Sequence, residues 1–235
     1  MWTLIISGKK DPFLNMEIDF HMWHSVREKK SFPILRFYQW DPPSISLGYN
    51  QSPEKIVDTQ FCKKNNIPIV KRPTGGSAIF HDIELTYSFA SNICFSSSFY
   101  NPTSSYFSIC EAIKKGIEKI GIQLEIRGFS DGKEPSFTNK ACFTLSSKHD
   151  LVYKGKKIIG SAQRRDKYSF LQHGSILLSI RKNLWERIFI EKLDFEKISS
   201  LDEILKEKFK IEQLIECLKN GFEEFFGIKF ERKET

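Results

Sequence analysis

Residue types that bind anions or carbonyl groups are concentrated in the stretch 71–82, KRPTGGSAIFHD. Apolar residues on both sides predict two strands, so the glycines lie in the connection between them. Gly75 and Gly76 have no Cβ, and the backbone there can take positive φ and bring its amides close to a ligand. Arg72, at the lip of this loop, would supply a cation for a carboxylate, a phosphate or a polarised carbonyl. The alternative is a glycine-rich hairpin turn in which Lys71 and Arg72 are solvated.

A second group of chemically useful residues lies in the run GKKIIGSAQ. Lys156 and Lys157 are neighbours in a predicted strand and should point to opposite faces, so one of them should face a site. A desolvated ammonium there would hold an acyl carbonyl oxygen or stabilise a developing oxyanion. Gly160, Ser161 and Ala162 would add small side chains and amides beside it. The alternatives are two surface lysines beside a turn and simple tight packing of strands.

Five segments occur in one order along the chain: NMEID (15–19), LRFYQWDPPSISLGYNQ (35–51), KRPTGGSAIFHD, KKIIGSAQRR (156–165) and LQHGSILL (171–178). Together they resemble the signatures of the biotin/lipoate-protein ligase superfamily, which includes the octanoyltransferases of lipoate metabolism. The ordered set is far more specific than any single motif. The resemblance implies one α/β (α+β) domain over residues 1–235, with a mostly antiparallel central sheet flanked by helices. Residues from about 183 onward would form a helical extension of that domain.

The resemblance also selects Lys157 as the lysine of the site, and it implies a set of residues that bind an acyl group or an acyl-adenylate. These are Arg72, Thr74, Gly75, Gly76, Ser77, His81, Gly160, Ser161, Ala162 and His173. His81 would orient the glycine loop, and His173 lies in a strand expected to face the site. Either histidine could act as an acid or a base near neutral pH, and a purely structural role is the alternative for both.

Cys142 decides which reaction the resemblance predicts. In octanoyltransferases of the Bacillus type, a cysteine in a similar Cys-Phe context carries the acyl group as a thioester, which implies that Cys142 is the nucleophile. A nearby Lys157 ammonium would favour its thiolate. The segment HDIELTYS also resembles the transferases, whereas SKHD at 147–150 departs from their Ser-Trp-Tyr-Glu. The alternative is a buried structural cysteine.

Two enzymatic functions and one binding function therefore stay open. An octanoyltransferase would need no cofactor, whereas an ATP-dependent lipoate-protein ligase would need ATP and Mg²⁺ and form a lipoyl-adenylate. The expected partners are acyl carrier protein, lipoate or octanoate, and a lipoyl domain of the glycine cleavage H protein or of a 2-oxoacid dehydrogenase subunit. The third possibility, a non-catalytic binder of lipoate or of lipoyl domains, is disfavoured by the retained Arg72, paired glycines and Lys157.

Composition limits the other classes of function. The net charge is +7, but basic residues are interleaved with acidic ones and no nucleic-acid-binding motif is present, so we expect no nucleic-acid partner. The 5 cysteines are scattered, which predicts a reducing cytoplasm without disulfides. No ligand spacing predicts a metal site, and His21 and His24 have no third ligand nearby. We expect neither a signal peptide nor a membrane span.

Periodicity predicts the elements that must position these residues. The predicted strands are Trp2–Ser7, Ile34–Trp40, Ser44–Tyr49, a strand ending at Val70, Ala78–Phe80, Glu84–Ala90, Ile122–Arg127, Asp150–Tyr153, Lys156–Gln163 and Ser169–Ser179. The predicted helices run from Pro12 to about Lys29, from Pro53 to about Asn65, from Tyr106 to Ile120, and through the tail from Leu201 to Gly227. The polar segment Gly128–Lys140, just before Cys142, is expected to be a functional or mobile loop.

Overall fold

The computed structural model describes residues 1–127, 150–207 and 209–233. Its strands are β1 (Trp2–Lys10), β2 (Ile34–Trp40), β3 (Ser44–Leu47), β4 (Ile69–Lys71), β5 (Ile79–His81), β6 (Glu84–Asn92), β7 (Glu125–Ile126), β8 (Leu151–Tyr153), β9 (Lys156–Arg165), β10 (Ser169–Leu177) and β11 (Phe230–Lys233). Its helices are α1 (Pro12–Arg27), α2 (Thr59–Lys64), α3 (Pro102–Glu118), α4 (Lys182–Ile188), α5 (Leu201–Leu205) and α6 (Ile211–Phe226).

The main sheet has eight strands in the order β11-β1-β2-β6-β10-β9-β8-β7. Strand β1 pairs in parallel with β11 and with β2, and the other neighbours are antiparallel. This confirms the predicted mostly antiparallel sheet. A second sheet of three strands, in the order β4-β3-β5, was not predicted as a separate unit. It holds the glycine loop, because that loop connects β4 to β5.

Helices cover both faces of the main sheet. On one face α1 packs Met22, Trp23 and Val26 against the sheet. On the other face α3 and α6 enclose the large core, which is rich in phenylalanine. These two helices cross at a pair of glycines: a Cβ on Gly221 would lie 2.4 Å from the Gly116 backbone nitrogen. Alternation along each strand supplies both faces with apolar side chains.

Several predicted helix boundaries were wrong. The helix predicted from Pro53 is broken, because Ile56 and Val57 are buried and Val57 bridges to Phe189. After that break, α2 begins at Thr59. Helix α3 begins at Pro102 instead of Tyr106, since the side chain of Asn101 caps it by accepting backbone N–H groups. Two 3₁₀ turns, Ile93–Phe95 and Ser97–Phe99, precede this helix.

The tail ends in a strand that was not predicted. Helix α6 ends at Phe226 and is followed by Gly227 with φ +64°, as expected of a C-terminal glycine cap. The following β11 pairs with β1, and Phe230 packs on Trp2 with 6.3 Å between ring centroids. The predicted strand at 122–127 is reduced to β7. Within the described part of the chain, no helix is long and apolar enough to cross a membrane.

The register of the sheets brings the predicted site segments together. In β10, His173 is paired with Ala162 of β9, and Gly174 is paired with Ser161. The glycine loop approaches the same place, since a Cβ on Gly76 would lie 3.6 Å from the Cβ of Ala162. Segments far apart in sequence therefore meet where the small sheet joins the large one. The predicted loop Gly128–Lys140 and Cys142 lie outside the described residues.

Candidate active site

A cavity of about 340 Å³ lies between the glycine loop, β9 and β10. Ligand-binding pockets typically have volumes of about 300–1,000 Å³, so this one suits a small molecule or an acyl chain. It is lined by Met16, Tyr38, Trp40, Ser46, Arg72, Gly75, Gly76, Ser77, Ile79, His81, Thr86, Tyr106, Asp150, Lys157, Ser161, Ala162, Gln163, His173, Gly174 and Ser175. Most of the predicted site residues are in this set. Of those that the structure describes, Thr74 and Gly160 are not in the lining, and both are buried.

Lys157 is buried in the cavity wall and paired with a carboxylate that the sequence did not indicate. Its Nζ lies 2.9 Å from Asp150 Oδ1, and the two side chains are 4% and 2% exposed. A buried ammonium needs such a partner, because an unpaired charge is costly to remove from water. Lys156, one position earlier, reaches Glu196 at the surface instead. Asp150 lies just before β8, which pairs with β9 beside Lys157.

The glycine loop depends on two glycines for different reasons. Gly76 has φ +85°, a conformation that L side chains rarely adopt. Gly48, at the end of β3, lies against it: a Cβ there would be 1.9 Å from the Gly76 carbonyl oxygen. Gly75 does not have the positive φ expected of it, and a Cβ there would meet no atom within 4 Å. Its role is therefore not one of backbone conformation.

Arg72 is buried beneath the loop, not placed at the lip as predicted, with only 3% of its surface exposed. Its guanidinium donates to the Thr74 hydroxyl, to both oxygens of Ser46, and to the carbonyls of Gly75 and Ser77, at 2.8–3.2 Å. The cation therefore turns two loop carbonyls towards itself. A trans peptide directs its N–H opposite to its C=O, so the amide of Gly76 points away from the guanidinium. Arg72 thus fixes the shape of the loop from behind.

A buried network connects α1, β2 and β10 at the back of the cavity. His173 Nδ1 lies 3.2 Å from Asp19 Oδ2, and His173 Nε2 lies 2.6 Å from the Thr74 hydroxyl oxygen. Asp19 also accepts hydrogen bonds from Arg36 and from Tyr38, both at 2.9 Å. Burial lowers the pKa of His173, against the opposing effect of Asp19. Burial alone would raise the pKa of Asp19, but His173 and Arg36 lower it overall, so the acid is ionised.

His81 occupies a separate polar cluster in the same cavity. Its ring stacks on Trp40 with 4.0 Å between centroids, and its Nε2 lies 2.8 Å from the Ser46 hydroxyl oxygen. Its Nδ1 is 3.6 Å from Glu84 Oε1, which is too long for a hydrogen bond. Burial lowers the pKa of His81 and outweighs the opposing effect of Glu84. In the described ranges, the hydrogen-bonded link from His81 to the glycine loop runs through Ser46, a partner of Arg72.

The wall formed by β9 and β10 is closely packed. Ser161 accepts a hydrogen bond from the Tyr87 hydroxyl at 2.7 Å, and its carbonyl accepts one from Tyr106 at 2.9 Å. A Cβ on Gly174 would lie 2.6 Å from the Gly160 carbonyl oxygen. Gly160 therefore contributes to close strand packing, and Ser161 lines the cavity with its hydroxyl and carbonyl held by the two tyrosines.

Sequence reasoning missed several residues that build this site. Asp19 and Tyr38 lie inside the segments that carried the family resemblance, yet they were given no role. An aspartate on the apolar face of a predicted helix was the available signal, because a buried carboxylate requires partners. Asp150 had no comparable signal. In the described ranges, no group of three or more His, Cys, Asp or Glu side chains is placed to hold a metal ion.

Comparison with known proteins agrees with the geometry. Residues 11–223 match the family described as lipoyl protein ligase A/B catalytic domain. Octanoyltransferase LipM of Anoxybacillus flavithermus is 34% identical over 252 residues, which cover 100% of this chain and 89% of that protein. Lipoate-protein ligase A, solved with bound ATP, has a TM-score of 0.79 at 24% identity, over 100% of this chain and 90% of that one.

The bi-partite lipoate protein ligase of Thermoplasma acidophilum, solved in a study that includes its E2 lipoyl domain, has a TM-score of 0.75 at 21% identity. That match covers 100% of this chain and 88% of the solved chain. The two solved structures share the fold described above. Because the family match extends over most of the chain and the relative aligns along its full length, this chain belongs to the lipoyl protein ligase A/B catalytic-domain family.

Proposed function

We propose that this protein is an octanoyltransferase of lipoate metabolism. It would move an octanoyl group from acyl carrier protein to the lysine of a lipoyl domain, through a thioester on Cys142. The full-length similarity to a protein named octanoyltransferase favours this reaction. The structural observation that carries it is the buried Lys157 ammonium, held by Asp150 in a cavity large enough for an acyl chain.

The first half-reaction forms the thioester on the enzyme. The Cys142 thiolate attacks the carbonyl carbon of the carrier's pantetheine thioester, and the carrier's sulfur leaves as a thiolate that takes up a proton. The bond broken and the bond formed are both carbon–sulfur bonds of a thioester, so no nucleotide is required. Lys157 would favour the Cys142 thiolate and donate a hydrogen bond to the oxyanion. The role of Cys142 is assigned from its sequence context alone, since this residue lies outside the described part of the chain.

The second half-reaction forms a stable amide. The neutral amine of the target lysine attacks the Cys142 thioester, the carbon–sulfur bond breaks, and the amine loses a proton. Cys142 is regenerated as a thiolate. Met16, Tyr38, Trp40 and Ile79 provide an apolar surface in the cavity for the hydrocarbon chain. The Gly76 amide, directed away from Arg72, is the loop donor that we assign to the acyl carbonyl.

The competing function is an ATP-dependent lipoate-protein ligase. Lipoate-protein ligase A, which binds ATP in its solved structure, has the same fold at lower identity. In that reaction the glycine loop and Lys157 would hold a lipoyl-adenylate, ATP and Mg²⁺ would be required, and Cys142 would be dispensable. The two reactions therefore make opposite predictions for a Cys142 variant. For the lipoyl-domain partner, we propose the H protein or a 2-oxoacid dehydrogenase subunit.

The deciding experiment is intact-mass spectrometry of the protein mixed with octanoyl-acyl carrier protein in the absence of ATP. We expect an octanoyl adduct that hydroxylamine removes, that Cys142→Ser abolishes, and that a lipoyl domain discharges. Cys94→Ser is the matched control, since Cys94 is an exposed free cysteine outside the cavity lining, and it should retain the adduct. Lipoylation by Cys142→Ser with ATP and free lipoate would establish the ligase reaction instead.

A further inference from the structure

A continuous chain of hydrogen bonds leads from α1 to the glycine loop through His173. Asp19 Oδ2 lies 3.2 Å from His173 Nδ1, and His173 Nε2 lies 2.6 Å from Thr74 Oγ1. Thr74 Oγ1 in turn accepts the Arg72 Nε–H at 3.2 Å. Asp19 and Thr74 are fully buried, and His173 is 5% exposed. The chain therefore runs behind the cavity wall and connects to the cation that shapes the loop.

Donor and acceptor roles along this chain fix the proton on the imidazole. The Arg72 Nε–H can only donate, so it occupies one lone pair of the Thr74 hydroxyl. The hydroxyl keeps its hydrogen and a second lone pair, so the Thr74 oxygen by itself allows His173 Nε2 either to accept or to donate. Asp19 is a carboxylate already paired with Arg36 at 2.9 Å, so it accepts the Nδ1–H. The ring therefore carries a proton on Nδ1, and because burial lowers the His173 pKa it carries no second proton. In this neutral Nδ1–H tautomer, Nε2 accepts the Thr74 hydroxyl hydrogen.

We propose that His173 is a positioning residue for the acyl-transfer site and not its acid or base. It holds the Thr74 hydroxyl and, through it, Arg72, whose guanidinium orients the carbonyls of Gly75 and Ser77. This role rests on the proposed function in one respect: the group that the loop positions is taken to be the acyl carbonyl. The hydrogen-bond assignment itself depends on the fold alone.

The geometry leaves His173 no nitrogen for substrate. Both ring nitrogens are engaged inside the protein, and the shorter of the two contacts, at 2.6 Å, is made to Thr74, which is fully buried and outside the cavity lining. A proton exchanged with substrate would first require this bond to break. Removing the Thr74 hydroxyl should therefore disturb the position of the glycine loop as much as substituting His173 does.

The first test compares Thr74→Val with Thr74→Ser in the rate of octanoyl transfer. The valine is isosteric but leaves His173 Nε2 and Arg72 Nε without their shared partner. We expect the rate to fall about 10- to 100-fold, as a displaced positioning group does, with little change in KM. Serine restores the hydroxyl and should recover most of the lost rate. Equal, small effects of both substitutions would overturn the proposal.

The pH profile separates positioning from acid–base catalysis. If His173 positions the loop, the octanoyl-transfer rates of His173→Gln and Thr74→Val are lower at every pH and the profile keeps its shape. If His173 is the base, His173→Gln loses the acidic limb while Thr74→Val retains it. The second outcome overturns the proposal. Thermal melting of both variants shows that the comparison concerns folded protein.

The second test needs no activity at all. Long-range ¹H–¹⁵N correlation NMR on the intact, ¹⁵N-histidine-labelled protein should show one histidine as the Nδ1–H tautomer at neutral pH, and that signal should be lost in His173→Gln. An Nε2–H or doubly protonated His173 would contradict the proposal, whatever the octanoyl-transfer rates of the variants. If His173 shows the expected tautomer but the protein transfers no octanoyl group, the proposed function is wrong and the hydrogen-bond assignment stands.

Discussion

Lys156 and Lys157 are adjacent in β9 and lie in opposite environments. The first reaches Glu196 at the surface, with 3.8 Å between Nζ and Oε2, whereas the second is buried against Asp150. An exposed ion pair contributes little to stability. A buried pair offsets a large desolvation cost, and removing one partner leaves the other charge uncompensated. The two lysines should therefore respond very differently to substitution.

The buried pair gives a stability prediction with an internal control. Asp150→Ala should lower the free energy of unfolding by about 3–5 kcal/mol, because it removes the buried carboxylate that lies 2.9 Å from the Lys157 ammonium. The double variant Asp150→Leu with Lys157→Met should recover much of this loss but no octanoyl transfer. Urea denaturation measures the first quantity, and adduct formation measures the second. Glu196→Ala, at the exposed pair, should change the unfolding free energy by less than about 1 kcal/mol.

Two buried histidines set the pH dependence of stability. Burial lowers the pKa of His81 and of His173 below 6.5, so each is neutral in the folded protein at pH values where the unfolded chain takes up a proton. The part of the stability that comes from keeping these two rings neutral is thus fully present above pH 6.5 and is lost as the pH falls below it. We expect the free energy of unfolding to decrease by up to about 1.4 kcal/mol per pH unit for each histidine. His173→Gln should show a shallower dependence, and an unchanged slope would contradict this assignment.

At the residue scale, the sequence predicted what short-range patterns encode. Period-two alternation separated the faces of Lys156 and Lys157, and the Thr-Gly-Gly segment identified the loop. Contacts between distant segments were not predictable from such patterns. Asp19 and His173 are 154 positions apart, and nothing local to either residue indicates the other. The burial of Arg72 was likewise missed, because a basic pair beside a turn is usually solvated.

At the scale of elements, caps and close contacts decided the boundaries. Asn101 and Pro102 form a strong helix-start signal, and α3 begins there. The prediction had followed the apolar residues instead, which begin at Tyr106. The break before α2 had no sequence signal, because it arises from Val57 bridging to a distant segment. Strand β11 was missed for the same reason, since it forms by pairing with β1 from the opposite end of the chain.

The glycine loop predicts a graded response to alanine. Gly48→Ala should destabilise most, since its Cβ would overlap the Gly76 carbonyl at 1.9 Å. Gly76→Ala should cost about 1–2 kcal/mol, because φ is +85° there. Gly75→Ala is the matched control, with no atom near its Cβ and no positive φ, and should leave the unfolding free energy nearly unchanged. Chemical denaturation of the three proteins checks this order, which a destabilised Gly75→Ala would contradict.

At the scale of the whole molecule, net charge bears on the encounter with protein partners. The chain carries +7 at pH 7, which attracts an acidic partner over a distance of about 10 Å at moderate ionic strength. Attraction of this kind acts mainly on the association rate. It requires no particular arginine or lysine in the cavity. The proposed carrier and lipoyl domains would associate with this protein faster to the extent that their surfaces are acidic.

The charge prediction concerns the salt dependence of octanoyl transfer. We expect kcat/KM for octanoyl-acyl carrier protein to fall several-fold between low and high ionic strength, because screening shortens the range of attraction. Octanoyl-pantetheine, a small thioester donor, serves as the control and should show a much weaker dependence. Initial rates over a salt series measure both. Identical salt dependence for the two donors would exclude a steering role for the protein surface.

Arg72 has one more effect, on the thermodynamics of ligand entry. Its guanidinium is bonded to the loop carbonyls, Thr74 and Ser46 within the protein itself. The conformational entropy of this wall is therefore lost during folding and not when an acyl chain arrives. A ligand that reaches the glycine side of the cavity meets a surface already in its binding shape, so its affinity carries no penalty for ordering that side.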